Sequence, residues 1–595
     1  MLDKASGTPD ERPSLLAVPF KSCHPERLIA EGPVTFKHVI LMAAVALGGC
    51  ATVPTTQPRG ARPASETDFG VGPVANTRAA IARIQRIDPA LGSVIAIDPT
   101  AVAQAERVAA QRLSGPLAGQ PVLIKDNIET AGPLPTTAGS LALINNVTNR
   151  DAPLVARLRA AGAVIIGKAN LSEWANIRSS SSISGWSAVG GQTRNPYALD
   201  RNPCGSSSGS GAAVAAGIVR LAIGTETDGS VTCPAAINGI VGFKPTVGLV
   251  SRTFVVPISA SQDTPGPMAA TVREAAQLLS AIAGSDPADK ATREADRRKQ
   301  DYAAGLIPNA LRGKRIGVMR FAAGFGTDEA FGRALATLRA QGATLVEIRQ
   351  FDEGVMGSNE FTVLLTEFKA GLNDYLRSSP APIAVRSLAE VIAFNKTNMA
   401  LEMPLFGQDI FEKAQKTRGL SDPAYRKART TSLRIAGAQG IDLLLRRHRL
   451  DALVGPTMPP AWKIDAVNGD QISGGGAGSL AAVAGYPHLS VPMGLVKGLP
   501  VGLSFIGPKW SDALILRLGY AYEQARGALP APRFLRSIEE APEIAPSLVP
   551  ARRRGLGPPP SVCLQNPPER AADYAAWERN YDRAGCDRWV GKGLN

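Results

Sequence analysis

A chain of 595 residues, 44% hydrophobic and 19% charged, has the composition of a globular protein with ample material for a core, which excludes a disordered or fibrous polymer. Its formal net charge of +14 invites a nucleic-acid reading. The excess, however, is scattered in short clusters such as Arg312–Arg315 and Arg446–Arg449, with no basic stripe interleaved with aromatics. Solvated surface charge accounts for it, and no nucleic-acid partner is expected.

Residues 1–33 are polar, and the first apolar run is Val39–Gly49, eleven residues preceded by Lys37 and His38. A membrane-crossing helix needs about 20 apolar residues, so this run reads as the core of a secretory leader. It ends in Leu47-Gly48-Gly49-Cys50, which resembles the lipobox of bacterial lipoproteins. The resemblance implies cleavage before Cys50 and acylation there, with Ala51 pointing to the outer membrane. Thirty-six residues precede Lys37, so translation is expected to start nearer Val34. Residues 1–49 are thus a leader, and residues 50–75, rich in Thr and Pro, a flexible tether. The expected location is the periplasm or the outer membrane of a Gram-negative cell, with membrane contact through the lipid anchor alone.

Beyond the tether, short β-rich runs alternate with helical patterns. A helix is predicted over Ala79–Ile87, a strand over Ser93–Asp98 and a helix over Gln104–Arg112. Pro121–Lys125 (PVLIK) has the character of a buried strand, and its closing lysine is followed at once by Asp126 and Asn127. Val164–Gly167 is a further strand, with a helix expected to begin at Asn170 or Ser172. The alternation implies an α/β architecture, a single large α/β/α domain with a central mixed twisted sheet covered by helices.

The stretch Pro203–Pro234 organises the rest. Two Ser/Gly knots, Gly205–Gly211 and Thr227–Ser230, flank a small-residue helix (Ser210–Ile218) and a strand, LAIGTETDGS, that runs into the second knot. Small side chains let main-chain N–H groups approach a ligand, and packing alone does not call for three serines in a row. Three chemistries compete. Gly205–Gly209 fits a nucleophile elbow with Ser207 central, but that needs a preceding strand and a histidine partner, for which only His448 and His488 remain outside the leader. A phosphate loop lacks its Gly-Lys-Ser/Thr ending. The third is a serine activated by lysine. In isolation Ser230 also reads as a cap for the helix starting near Pro234.

Taken together, Lys125-Asp126-Asn127, CGSSSGSGAAVAAG (204–217) and GTETDGSVTCPAAINGIVGFKPT (224–246) resemble the amidase signature family, and their wording is similar to its bacterial peptide amidase branch. The likeness runs over roughly residues 75–535, giving a domain of 76–537. Cys204, Ser208, Glu226 and Asp228 depart from the usual family wording, none at a position of the catalytic triad. The resemblance implies Ser230 as nucleophile, Ser206, after a cis peptide, as bridging serine, and Lys125 as base. It also implies an oxyanion hole from the N–H groups of Thr227, Asp228, Gly229 and Ser230. The implied reaction turns a carboxamide and water into an acid and ammonia, through an acyl-enzyme and without cofactor or metal. Peptide carboxyl-terminal amides are the first substrate expected. Alternatives are an aryl or fatty-acid amide hydrolase, the glutaminase subunit of a tRNA-dependent amidotransferase, or an inactive cell-envelope binding protein.

Cys204 and Cys233 are expected as two buried thiols, a bridge between them being the alternative in an oxidising compartment. Arg315–Arg320 and Ala343–Arg349 read as strands flanking a helix, and Phe361–Ala393 as amphipathic helices walling the substrate cleft. Residues 538–595 form a Pro-rich linker and a small tail carrying Cys563, Trp577, Tyr581, Cys586 and Trp589.

Overall fold

The computed structural model describes residues 70–549, 561–564, 567–568, 571–583 and 586. The leader, the lipobox with Cys50 and residues 51–69 lie outside the described residues, as does Trp589.

Eleven strands make one mixed sheet. In chain order they are β1 (Val94–Ile97), β2 (Pro121–Lys125), β3 (Val164–Ala169), β4 (Leu221–Glu226), β5 (Val241–Lys244), β6 (Thr264–Ala269), β7 (Arg315–Met319), β8 (Thr344–Ile348), β9 (Ala452–Pro456), β10 (His488–Val496) and β11 (Leu499–Ile506). Their order across the sheet is β1-β3-β2-β4-β6-β5-β10-β11-β9-β7-β8. Strand β2 lies parallel to both β3 and β4, and β7 parallel to both β8 and β9. Antiparallel pairs join these two parallel groups through the middle of the sheet.

Strands β2, β3 and β4 are buried along their whole length, as expected of a sheet covered on both faces. Successive side chains alternate between the faces. Val122 and Ile124 join Ile223, Phe243 and Leu279 in one core, whereas Leu123 joins Ile166, Ala213 and Ala222 in the other. Lys125, two residues beyond Leu123, falls on the second face. Helices α1 (Ser208–Ala215) and α2 (Thr232–Asn238) follow the two knots, and α1 packs into that same second core. Its small residues are a packing requirement: a Cβ on Gly209 would run into the main chain of Ser93 and Asn170. A longer helix, α3 (Met356–Ser378), occupies most of the amphipathic region of the carboxyl half.

One local expectation is corrected. No α-helix begins at Asn170 or Ser172; the chain makes a short 3-10 turn, Glu173–Asn176, in which Trp174 and Ala175 take left-handed φ of 48° and 54°. Helix propagation stops there because left-handed residues cannot continue a right-handed hydrogen-bond ladder. The tail contains a helix, Ala571–Arg583, and Cys586 is buried and disulfide-bonded. Ile538 and Ala541 pack with Tyr197 and Trp462. Among the described residues no helix is long and apolar enough to cross a membrane.

Candidate active site

Lys125 closes β2 with a side chain that is fully buried. Its Nζ lies 2.7 Å from Ser206 Oγ, 2.9 Å from Thr225 Oγ1 and 3.3 Å from Thr225 O. Burial lowers its pKa to about 7, against the opposing pull of the Asp263 and Glu226 charges. Thr225 O accepts only, and Thr225 Oγ1 already accepts from Asn127 Nδ2 at 3.0 Å. A neutral amine satisfies this set by donating to the two threonine oxygens and offering its lone pair to the Ser206 hydroxyl.

Ser206 follows a cis peptide bond, Gly205–Ser206. Its carbonyl accepts from Ser172 N at 3.1 Å, and a Cβ on Gly205 would overlap the Ser172 hydroxyl, so the loop has no room for a side chain there. The neighbouring serines have other partners. Ser207 Oγ donates to Thr225 O and accepts from Thr225 N, both at 3.2 Å, and Ser208 Oγ donates to Cys204 O at 2.7 Å. Ser207 is therefore a brace between knot and strand. No strand precedes it, and neither His448 nor His488 bonds to any of the three serines. His488 is buried, its pKa pushed down to about 3 by burial and by Lys244, with Nε2 2.6 Å from Ser504 Oγ. The elbow reading fails on both of its requirements.

The second knot is folded by a carboxylate. Glu226, at the end of β4, accepts from Val231 N and Thr232 N, each at 2.8 Å, and so caps α2. Ser230 does not cap that helix; among the described residues its hydroxyl makes no hydrogen bond, and its residue is 9% exposed on the cleft. Gly229 takes φ +77°, and the turn it permits leaves the N–H groups of Thr227 to Ser230 without an acceptor among the described residues. Thr227 is fixed from behind, its Oγ1 donating to Asp263 Oδ1 at 2.6 Å and its carbonyl accepting from Gln262 Nε2 at 3.3 Å. Burial raises Asp263 to about 6. Asp228 is also raised to about 6, by burial and then by Glu226, while its bond to Ser479 opposes the shift. The knots meet through Ser207 N, which donates to Ser230 O at 3.1 Å.

Cys204 and Cys233 are bonded as a disulfide, with Cα atoms 6.1 Å apart, which corrects the expectation of two free thiols. The fold brings the cysteines together because each flanks a serine of the paired knots.

A cleft of about 530 Å³ opens in front of Ser230. Ile177, Ile258, Leu364, Met458 and Ile472 give it apolar walls, and Gly474–Gly476 form part of its rim. Leu364 comes from α3, within the region expected to wall the cleft. Of the residues predicted for the site, Lys125 and Ser206 are in contact, while Ser230 and the Thr227–Ser230 turn line the cleft and join the Ser206 loop through Ser207 N and Ser230 O. Sequence reasoning missed Thr225, Asn127 and Glu226. Thr225 and Glu226 sit just before the second knot, but their types alone gave no sign of their partners. No group of side chains suited to a metal ion occurs among the described residues.

A family model described as "Amidase" matches residues 75–516. The crystal structure of native peptide amidase from Stenotrophomonas maltophilia is 50% identical, with a TM-score of 0.74, over 78% of this chain and 96% of that one. A protein of Arabidopsis thaliana named "Probable amidase" is 40% identical over 470 residues, 76% of this chain and 86% of the relative. A glutamyl-tRNA(Gln) amidotransferase subunit of Symbiobacterium thermophilum is 38% identical over 474 residues, 75% of this chain and 92% of its own.

Proposed function

The chain belongs to the amidase family and hydrolyses amides, and from that premise we propose that its substrates are peptides ending in an unsubstituted carboxamide, cleaved to the acid and ammonia. The observation that carries the mechanism is the buried Lys125, with its pKa lowered to about 7 and its Nζ 2.7 Å from Ser206 Oγ. The substrate class is supported by 50% identity to a peptide amidase and by an apolar-walled cleft of about 530 Å³, ample for a short peptide end.

Neutral Lys125 takes the Ser206 proton as Ser206 takes the proton of Ser230. Ser230 Oγ then forms a bond to the amide carbon, and the carbonyl electrons move onto oxygen, held by the N–H groups of Thr227, Asp228, Gly229 and Ser230. Collapse breaks the C–N bond, with Lys125 returning its proton through Ser206 so that ammonia leaves. Water, deprotonated along the same route, attacks the acyl-Ser230 ester and frees the acid. A free Ser230 hydroxyl suits this path, since contacts of this kind often close only when substrate is bound.

The enzyme acts outside the cytoplasm, anchored by a lipid on Cys50. The Leu47–Cys50 lipobox supports this, and so does a disulfide of a kind that persists in oxidising compartments. Kinetics on a peptide amide, its anilide analogue and free glutamine test the substrate reading. The expected order has the peptide amide first by kcat/KM; glutamine first would move the assignment to the glutaminase class. Mass spectrometry of the mature amino terminus tests the anchor, with a diacylglyceryl-Cys50 expected.

A further inference from the structure

The Cys204–Cys233 bridge joins the two segments whose separation the proposed mechanism depends on. Cys204 lies two residues before Ser206 and Cys233 three residues after Ser230. Each segment is anchored to a different part of the molecule. The Ser206 loop is tied by Asn202 Oδ1 accepting from Cys204 N at 2.8 Å and by Ser172 N donating to Ser206 O at 3.1 Å. The Ser230 turn is tied by Glu226 and, through Thr227, by Asp263 and Gln262. Between the segments run the Ser207 N to Ser230 O hydrogen bond at 3.1 Å and one from Asn238 Nδ2 to Pro203 O at 2.8 Å. The bridge is the covalent tie across that gap.

We propose that Cys204 and Cys233 are positioning residues: their bridge holds the Ser206 loop at the distance from the Ser230 turn at which a proton passes between the two hydroxyls, so turnover requires the oxidised pair. The inference rests on the serine roles assigned above. Hydroxyl-to-hydroxyl transfer needs heavy atoms about 2.6–3.2 Å apart, and a misplacement of about 1 Å can cost about a hundredfold in rate. Both cysteines belong to the cleft lining, though only 5% and 4% exposed, and share a core cluster with Tyr197, Ile237 and Trp462. Two free thiols are small and apolar enough to remain in that packing, so opening the bridge loosens the loop without emptying a core. A dithiol reductant opens it by forming its own S–S bond, two electrons and two protons passing to Cys204 and Cys233 as the protein S–S bond breaks.

The experiment uses the full chain and a peptide amide, and measures kcat and KM before and after native-state treatment with dithiothreitol. Alkylation and mass spectrometry count the opened cysteines, and far-UV circular dichroism checks the fold. We expect kcat to fall at least about tenfold with KM within about threefold, to recover on reoxidation, and to fall equally in the Cys204→Ala/Cys233→Ala double variant. The reductant should lower the double variant no further, which separates this bridge from the one that holds Cys586. The second-order rate of Ser230 labelling by a fluorophosphonate should fall in step with kcat. A folded double variant with kcat within about twofold of wild type overturns the proposal, as does a reduced wild type that keeps its rate with both thiols alkylated. Loss of secondary structure in step with the rate also overturns it, because the bridge is then only structural. If the double variant does not fold, reduction of the native enzyme decides alone. Ser230→Ala with the bridge intact reports on the serine assignment separately, since full activity there refutes the nucleophile whatever the bridge does.

Discussion

Lys125 serves a neighbouring hydroxyl only while it lacks a proton, and burial away from water favours that state. With a pKa of about 7, the rate is expected to climb about tenfold per pH unit below 7 and to level off above it. A flat profile from pH 5 to 9, with chemistry limiting, removes Lys125 as the base. The same shift links to stability. The folded pKa lies below the ordinary lysine value of 10.5, so between about pH 7 and 10.5 the unfolded chain binds the extra proton. Raising the pH through that window therefore stabilises the wild type relative to Lys125→Met, and paired denaturant titrations at pH 7 and pH 10 read the change. Ser206 and Ser207 are adjacent and both buried, yet their substitutions should separate. Ser206→Ala is expected to cut kcat by at least about a hundredfold. Ser207→Ala strands the Thr225 N–H, costing about 1–3 kcal/mol of stability with a smaller loss of rate.

The turn between β4 and α2 shows how an element presents the hydroxyl proposed as nucleophile, that of Ser230. Glu226 gathers the first two N–H groups beyond Ser230, which frees the preceding N–H groups to face the cleft. Glu226→Ala leaves Val231 N and Thr232 N without their acceptor. It should cost about 1–3 kcal/mol, measured by chemical denaturation, and depress kcat more than KM. Elements of this kind divide by how local their causes are. Strand β2 was legible to the residue, and β3, β4, α1 and α2 to within a few, because apolar runs and Ser/Gly punctuation are written in consecutive residues. The turn at Trp174 and Ala175 was not, since nothing in those side chains announces left-handed backbone. It is imposed by contacts such as Trp174 against Phe411, more than 200 residues away. The Cys204–Cys233 bridge stood in the sequence only as the alternative to two thiols, since spacing gives neighbours in sequence and not the approach of two knots.

At the scale of the whole molecule, the proposed catalytic groups come from one parallel group of strands, while much of the cleft comes from the other half of the chain. Leu364, Met458, Ile472 and Gly474–Gly476 reach it from α3 and from the segment after β9. This is why the site residues could be named from sequence, whereas for the walls only the Phe361–Ala393 region was named and not the side chains that face the cleft. Leu364→Trp should narrow the cleft, raising KM for a tripeptide amide several-fold while sparing a small amide such as propionamide. Equal effects on both would place Leu364 outside the binding path. The alternation along β2 carries a further consequence for how such a gene tolerates length change. Deleting one codon within Pro121–Ile124 would swing the amine through half a turn into the greasy layer below, silencing the enzyme. Trimming the loop ahead of the strand leaves its aim untouched, so viable indels in a random library should accumulate before Pro121 and stop there.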